Sequence, residues 1–333
     1  MKRLSAVFAV LLAAGPLAAE TCTTQSQMQA IDRDGIAQAA RTLALAMQAN
    51  DPAAIKAQSS ADLASNFAAV ASLTGDTSPK LKGSPLAVES VWLLDATGLK
   101  PNTDGSPATG QFFCTLNQSS TETDFIIDGL PAGKYAFAIV NAGGANPWRI
   151  SMLLRNEGGW KLAGIYPKAT TSAGKDGLYY WTTARTMARQ NQPWNAWLYY
   201  QQAAELLQPV GFVGSTHLEK LRTEASAAAP PVVQKGLSAE QPLVLRATDG
   251  SEYRITGFGF NDSVSKDKVD LVVHLKVETM GDSVAARKRN TEAARTLVLA
   301  YPELRSAFHG VWVSSEAAGA SAFATEEPME NLR

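Results

Sequence analysis

The chain has 333 residues, a mass of 35.4 kDa and a hydrophobic fraction of 45%, which favours two or three globular domains over one small core. Its 30 Lys and Arg side chains against 31 Asp and Glu give a net charge of −1, so there is no basic excess to bind nucleic acid. Two cysteines and three histidines argue against metal clusters and cysteine-rich scaffolds, and no cofactor is predicted.

The first nineteen residues have the pattern of an export signal. Lys2 and Arg3 precede an apolar run from Leu4 to Ala14, and small residues continue to Ala19. The apolar run is shorter than the roughly 20 residues of a spanning helix, so no transmembrane segment is expected. The pattern predicts cleavage after Ala19 and a bacterial protein that is periplasmic or secreted.

The two cysteines are predicted to form a disulfide in that oxidising compartment. A bond between Cys22 and Cys114 would tie the new N-terminus to a strand, and closing so long a loop would contribute about 4 kcal/mol in the chain-entropy model. Two free thiols are the alternative. A catalytic cysteine is less favoured, because Cys114 lies in an alternating run that is typical of a packed strand.

Helices are predicted at the start of the first domain, which is assigned to residues 20–168. A second helix begins after Asn50, with Asp51 as its cap and Pro52 in its first turn. A third is predicted from Ala61 to Leu73. The first helix, from about Ser26 to Ala49, is indicated by apolar residues at helical spacing: Met28, Ile31, Ala39, Leu43 and Met47.

The pattern then changes to the period of β-strands separated by turns. Alternation is clearest where Trp148 and Ile150 face inward while Arg149 and Ser151 face outward. A Gly-Gly turn then leads into a strand that would pair with this one as a hairpin. Six strands are predicted: Val88–Leu94, Gln111–Leu116, Thr123–Asp128, Lys134–Val140, Trp148–Arg155 and Trp160–Tyr166.

Three helices followed by a strand meander that ends in Gly-Trp-Lys-Leu-Ala-Gly-Ile-Tyr resemble the NTF2-like superfamily over roughly residues 26–168. The resemblance implies a curved antiparallel sheet around helices, a cone with an apolar pocket, and frequent dimerisation through an open sheet face. That superfamily includes enzymes and non-enzymatic binding or assembly modules. A prealbumin-like β-sandwich is the competing interpretation, because Phe125 to Tyr135 has a strand-turn-strand pattern, but the helical first 75 residues argue against it.

Residues 169–229 are predicted to form a helical hairpin that links two domains. With Trp181 early and Pro209 late, the hairpin weakly resembles a tetratricopeptide unit. The motif expects Leu-Gly and then Tyr, where this chain has Ala184-Arg185 and Ala188. The helices are expected at Leu178–Gln190 and Trp194–Gln208.

An Ala- and Pro-rich stretch near residues 225–234 predicts the next boundary, so residues 230–333 are assigned to a small α+β domain. The element order indicates an antiparallel sheet with one covering helix. The polar tail from Glu326 to Arg333 is expected to be loose. The predicted elements are strands Pro242–Ala247, Glu252–Phe260 and Val269–Glu278, a helix from Ser283 to about Ala300, and a strand Gly310–Ser314.

No titratable residues have a spacing that forces a catalytic site, and none is assigned as catalytic. Asp95 and Asp128 are expected at strand ends, where aspartate commonly makes turn hydrogen bonds. Asp124 alternates with Phe125 and is expected to face outward. His274 is expected on a solvated strand face. The histidines are scattered along the chain, at His217, His274 and His309.

Aromatic side chains of the first domain are the candidate binding residues. Part of this set would line a pocket for an apolar or peptide ligand. In the alternative interpretation the set is the packed core between the sheet and the helices. The candidates are Trp92, Tyr135, Phe137, Trp148, Trp160 and Tyr166.

These patterns favour an exported, non-enzymatic envelope protein that binds or assembles through its apolar pocket or sheet face. Its expected partner is a protein or a small apolar ligand, and dimerisation is left open. The alternatives are an enzyme with acid/base or hydrolytic chemistry on a small apolar substrate, or a carrier of a lipid or peptidoglycan fragment. A carboxylate with a raised pKa in the pocket would favour the enzyme, and a pocket filled by Trp and Phe would favour the scaffold.

Overall fold

The structure is a computed structural model that describes residues 20–114 and 122–332. The predicted signal segment, residues 1–19, lies outside the described residues. Within the described part the fold is mixed α+β, as predicted, with two five-stranded sheets, a three-stranded sheet and a two-stranded ladder. None of the described helices is both long and apolar enough to cross a membrane.

Four helices follow a short N-terminal strand. Asp51 caps the second, because its side chain accepts a hydrogen bond of 2.9 Å from the backbone N–H of Ala54, as predicted. Ile31 was expected in the buried stripe but is 83% exposed, and Ile36 and Ala40 take that place beside Leu43. The predicted third helix is two helices. The four are α1 (Ala30–Gln48), α2 (Pro52–Ala57), α3 (Ala61–Ser65) and α4 (Ala68–Leu81).

All six strands predicted for the first domain are present, and a short strand precedes them. In the described chain five of these seven strands form an antiparallel sheet of order β1-β2-β5-β6-β7, here called the first sheet. The expected end of the second predicted strand, Leu116, lies outside the described residues. The strands are β1 (Thr21–Thr24), β2 (Leu86–Asp95), β3 (Ala108–Cys114), β4 (Thr123–Leu130), β5 (Lys134–Ala142), β6 (Trp148–Asn156) and β7 (Trp160–Ala169).

The first sheet is covered on both faces. Ala136 and Ala138 of β5 belong to the core formed with α1, and their small side chains let the helix approach closely. Phe137 and Ile139 alternate with them and pack on the opposite side. There β3 and β4 form the small sheet together with β10 (Val213–Ser215), a strand that was not predicted. The small sheet thus covers the face of the first sheet opposite α1.

The predicted disulfide between Cys22 and Cys114 is present. Their Cα atoms are 5.2 Å apart and 92 residues separate them in sequence. The bond joins β1, at the edge of the first sheet, to β3 of the small sheet, so it links the two layers covalently.

A helical layer follows two short strands, β8 (Thr171–Ser172) and β9 (Lys175–Asp176). It consists of α5 (Gly177–Arg189), α6 (Pro193–Leu207) and α7 (Thr216–Ala228). The first two match the predicted hairpin. Gly177 permits their close contact, because a Cβ there would lie 2.5 Å from Cγ of Leu207. The sequence did not predict α7, whose buried side chains are Leu218 and Leu221 and whose periodicity is therefore weak.

The remaining strands form the C-terminal sheet, of order β11-β12-β13-β14-β15. The expectation of a purely antiparallel sheet was wrong, because β13 and β14 are parallel and a helix carries the chain between them. The elements are β11 (Leu243–Arg246), β12 (Glu252–Asn261), β13 (Asp270–Lys276), α8 (Ser283–Ala300), α9 (Leu304–Ala307), β14 (Gly310–Glu316) and β15 (Phe323–Pro328).

The chain end is packed, which corrects the expectation of a loose tail. Residues 323–328 pair with β14, and Met329 and Leu332 are buried against the core. Glu326 and Glu327 gave the tail its polar appearance in sequence. Asn290 of α8, fully buried, donates hydrogen bonds to the backbone carbonyls of Val313 and Phe323 and so fixes the helix to the last two strands.

The helical layer and the C-terminal sheet share one hydrophobic core. Its buried side chains extend from Trp181 of α5 through Leu198 of α6 to Val273 and Val311 of the sheet. The face of the sheet that contributes to this core is here called its inner face. The opposite face, here called the outer face, carries the alternate residues of each strand.

Candidate functional site

The six predicted aromatic residues do not line one pocket. Trp92, Tyr135 and Phe137 belong to the core between the first sheet and the small sheet. Trp148 and Trp160 pack instead on the helical side of the first sheet. The predicted set is therefore divided between the two faces of that sheet.

Trp92, Phe137 and Tyr166 are connected through two phenylalanines that were not in the predicted set. Phe125 lies 5.6 Å from Trp92 and 5.2 Å from Phe137, between ring centroids. Phe212 lies 5.7 Å from Phe137 and 5.6 Å from Tyr166. Edge-to-face and tilted contacts at these distances are typical of packed aromatic cores. These five rings, here called the aromatic core, pack together between the two sheets, with Phe125 and Phe137 fully buried and Tyr166 37% exposed at the edge.

A groove of about 640 Å³ lies between the first sheet and the C-terminal sheet. Trp148, at the start of β6, forms part of one wall. Phe258 and Phe260 of β12 form part of the opposite wall, and α6 lies between the two walls. We call this the inter-sheet groove. Of the six predicted binding residues, Trp148 is among its lining side chains.

Gln202 of α6 also lines the inter-sheet groove. It is only 3% exposed, and no donor within residues 20–114 and 122–332 makes a hydrogen bond to its Oε1 atom. Burying an amide oxygen without a donor costs free energy, about 1–3 kcal/mol by mutational measurements. The sequence offered no signal for it, because a glutamine on a predicted helix is usually solvated.

Two basic side chains of the first sheet fix the end of α6 beside the groove. Arg149 donates a hydrogen bond of 3.1 Å to the carbonyl oxygen of Leu207. Lys168 forms an ion pair of 2.9 Å with Glu205 and also lines the groove. Positive charge next to the last carbonyls of a helix is electrostatically favourable. These contacts hold the first sheet and α6 together beside the groove.

A second groove, of about 780 Å³, lies beside β4, β10 and α7. Asp124 was expected to face outward, but it is half-buried because the unpredicted β10 pairs with its strand. Burial raises the pKa of this carboxyl. Arg222 lies in the same groove and forms an ion pair of 3.0 Å with Glu219. The carboxylates that line it are Glu122, Asp124, Asp128 and Glu219.

Asp95 behaves as predicted for an aspartate at a strand end. Its Oδ1 accepts hydrogen bonds from the backbone N–H of Thr97 at 2.9 Å and from the hydroxyl of Thr97 at 2.6 Å. Asp128 differs, because its carboxylate accepts a hydrogen bond of 2.8 Å from Thr109 across the strand pair. Neither carboxylate belongs to the aromatic core.

The histidines lie in three settings. His217 is exposed in the first turn of α7. His274 is partly exposed on the outer face, as expected, and its Nδ1 lies 2.7 Å from Oε1 of Glu316. His309 precedes β14, with Nδ1 2.8 Å from Oδ1 of the buried Asp270. The crossover between β13 and β14 creates this last pair, and sequence spacing gives no indication of it.

Comparison of the chain with protein-family models, with curated proteins and with solved structures found no match.

Proposed function

We propose that the protein is exported and acts as a non-enzymatic binding protein of the envelope, with an NTF2-like domain at roughly residues 26–168. In this proposal the inter-sheet groove holds a small ligand. The aromatic core supports a structural role for Trp92, Phe137 and Tyr166, since their rings pack against Phe125 and Phe212. The Cys22–Cys114 bond supports an oxidising destination.

Gln202 is the observation on which the choice of groove rests. A buried amide oxygen without a donor is a favourable place for a ligand hydroxyl or amine, because the ligand would supply the missing hydrogen bond. Small-ligand sites commonly combine apolar walls with a few polar groups that fix orientation. Here Trp148 and Phe260 provide the apolar surface.

The polar groups around Gln202 define the class of ligand. Acceptor oxygens of Ser172, Asp262 and Glu205 line the inter-sheet groove, and Glu205 is paired there with Lys168. A ligand with one apolar or ring face and several hydroxyl or amine donors would match both the aromatic walls and these acceptors. We therefore expect a small, partly apolar compound with hydrogen-bond donors.

Native mass spectrometry of the protein purified from its own envelope tests this proposal. We expect a small-molecule adduct in the native spectrum that is lost on denaturation. Gln202→Leu should remove it, because leucine keeps the volume of the side chain but accepts no hydrogen bond. Trp148→Leu should weaken the adduct, because it removes an aromatic wall of the groove, and Trp160→Leu is its matched control, because Trp160 lies outside the groove.

Two results would contradict the proposal. A bare wild-type mass would exclude a retained small ligand and would redirect the search to protein partners. An adduct that persists undiminished in Gln202→Leu would place the ligand elsewhere. The denaturing spectrum also reports export, since a leader still attached at residues 1–19 would exclude cleavage.

A second candidate function is acid/base chemistry in the groove beside β10. The specific observation is Asp124, whose pKa is raised by burial, next to other carboxylates and Arg222. A carboxyl that titrates above its ordinary range can take or give a proton closer to neutral pH. An NMR titration in which Asp124 shows an ordinary carboxyl pKa would remove this candidate.

A further inference from the structure

Asp270, His309 and Glu326 come together at one end of the outer face of the C-terminal sheet. Asp270 begins β13, His309 immediately precedes β14, and Glu326 lies on β15. The three strands are neighbours in the order β13-β14-β15. One potential ligand atom of each residue lies within 4.8 Å of those of the other two.

The contact between Asp270 and His309 has nearly the spacing of two ligands on one ion. Oδ1 of Asp270 lies 2.8 Å from Nδ1 of His309. A tetrahedral ion with bonds of about 2.0–2.1 Å separates two of its ligands by roughly 3.3 Å. If the distance between Oδ1 of Asp270 and Nδ1 of His309 increased by about 0.5 Å, an ion could take the place of the hydrogen between them. The neutral imidazole would then carry its hydrogen on Nε2.

The carboxylate of Asp270 is oriented by a partner of its own. Its Oδ2 accepts a hydrogen bond of 2.9 Å from the indole N–H of Trp312, which leaves Oδ1 directed at His309. Hydrogen bonds to the second oxygen of a ligating carboxylate are a common feature of metal sites. The side chain of Asp270 is 1% exposed, so its orientation is fixed by packing as well.

Burying the charged carboxylate of Asp270 costs free energy unless a positive charge lies nearby. In the part of the chain that the structure describes, the ion-pair partner of Asp270 is His309, with no Lys or Arg within ion-pair distance. Glu326 adds a further acidic group. A divalent cation would compensate the two carboxylates together.

Gly310 allows the backbone to pack closely against the carboxylate of Asp270. A Cβ at this position would lie 3.2 Å from Oδ1 of Asp270 and 2.9 Å from the backbone oxygen of Glu327. A larger residue next to His309 would therefore press on the oxygen that faces the histidine.

We propose that Asp270, His309 and Glu326 bind a divalent transition-metal ion such as Zn²⁺. Nitrogen and oxygen ligands of this kind suit zinc, and three protein ligands leave a fourth position for water or a bound molecule. Trp312 acts as a positioning residue through Asp270. The site is independent of the inter-sheet groove, so either proposal can fail alone.

The His274–Glu316 pair is an internal control on the same outer face. It has the same type of contact, Nδ1 to a carboxylate oxygen, at 2.7 Å. Both side chains are substantially exposed, at 41% and 49%, and among the described residues no third ligand completes a group with them. Binding that depends on the three-residue site should be insensitive to this pair.

Zinc titration of the full chain, after removal of bound metal with a chelator, tests the proposal. We expect one ion per chain by isothermal titration calorimetry, and a Co²⁺-substituted protein with the strong visible absorption of a tetrahedral site. Glu326→Gln and His309→Gln should each weaken Zn²⁺ binding by about 10-fold or more. His274→Gln should leave the affinity unchanged.

Asp270→Asn is a further variant, but its buried position can affect folding, so Glu326→Gln is the decisive one. Its side chain is only partly buried, and circular dichroism would verify that the variant is folded. The proposal is overturned if the wild-type chain binds no Zn²⁺ at micromolar concentrations. It is equally overturned if Glu326→Gln and His309→Gln bind as tightly as the wild type.

Discussion

The two five-stranded sheets of the described chain differ in how their faces are covered. The first sheet has helices on one face and the small sheet on the other, whereas the C-terminal sheet is covered on its inner face by α6 and α8. Partly exposed polar side chains lie on the outer face, among them His274 and Glu316. The uncovered face of the C-terminal sheet thus carries titratable side chains, whereas the face of the first sheet that the small sheet covers carries the aromatic core.

Burial along individual strands shows the same difference. In β5 every residue from Tyr135 to Val140 is buried, which is the pattern of a strand enclosed on both faces. In β13 buried Leu271, Val273 and Leu275 alternate with less buried residues. Alternation of this kind is typical of a sheet with one solvated face.

The largest expected effect is at the centre of the aromatic core. Phe137 is fully buried and contacts Trp92, Phe125 and Phe212. Phe137→Ala should reduce the free energy of unfolding by about 4 kcal/mol, because it removes buried surface and leaves a cavity. Urea unfolding followed by tryptophan fluorescence measures this. A loss below about 1 kcal/mol would mean that the space between the sheets is not tightly packed.

A smaller effect is expected in the helical layer that covers the inner face of the C-terminal sheet. Glu224 of α7 accepts hydrogen bonds of 2.7 and 2.8 Å from Arg185 and one of 2.8 Å from the indole of Trp181. The hydrogen bonds from Arg185 are the main cause that lowers the pKa of Glu224. Glu224→Gln should cost about 2 kcal/mol at neutral pH, since charge-assisted bonds to a partly buried carboxylate are lost.

The pH dependence of stability separates the contribution of the Glu224 charge from the contribution of its side-chain packing. Because the folded-state pKa lies below the ordinary value, the stabilisation is complete above that ordinary value and is lost as pH falls through the folded-state pKa. The stability difference between wild type and Glu224→Gln should therefore narrow below about pH 4. A difference that is constant down to about pH 2 would mean that the carboxylate charge contributes nothing.

Much of the fold was predictable because its signal is local. The strands of the first sheet alternate or form apolar runs between turn residues, and the α5–α6 hairpin is interrupted by proline. α7 and β15 were missed, since the first buries few side chains and the second carries consecutive glutamates. Both are fixed by tertiary contacts that no sequence window contains.

The candidate sites were less predictable than the fold. Trp148 was identified as an aromatic residue, but the groove beside it depends on α6 and β12 meeting the first sheet. Asp270 and His309 are 39 residues apart and become neighbours only through the parallel crossover. Their proximity follows from the parallel pairing of β13 with β14. The sequence had predicted an antiparallel sheet instead.

The smallest expected effect tests whether the outer face is free of contact with another chain. Val244 of β11 is 43% exposed, whereas its neighbour Leu245 is 5% exposed and belongs to the inner-face core. Val244→Thr should change the free energy of unfolding by no more than about 0.5 kcal/mol. Leu245→Ala, the matched variant, should cost about 3 kcal/mol because it leaves a cavity. If Val244→Thr costs more than about 1 kcal/mol in the native assembly, another chain covers the outer face. Both sheets would then be enclosed, and the contrast between them would hold for the isolated chain alone.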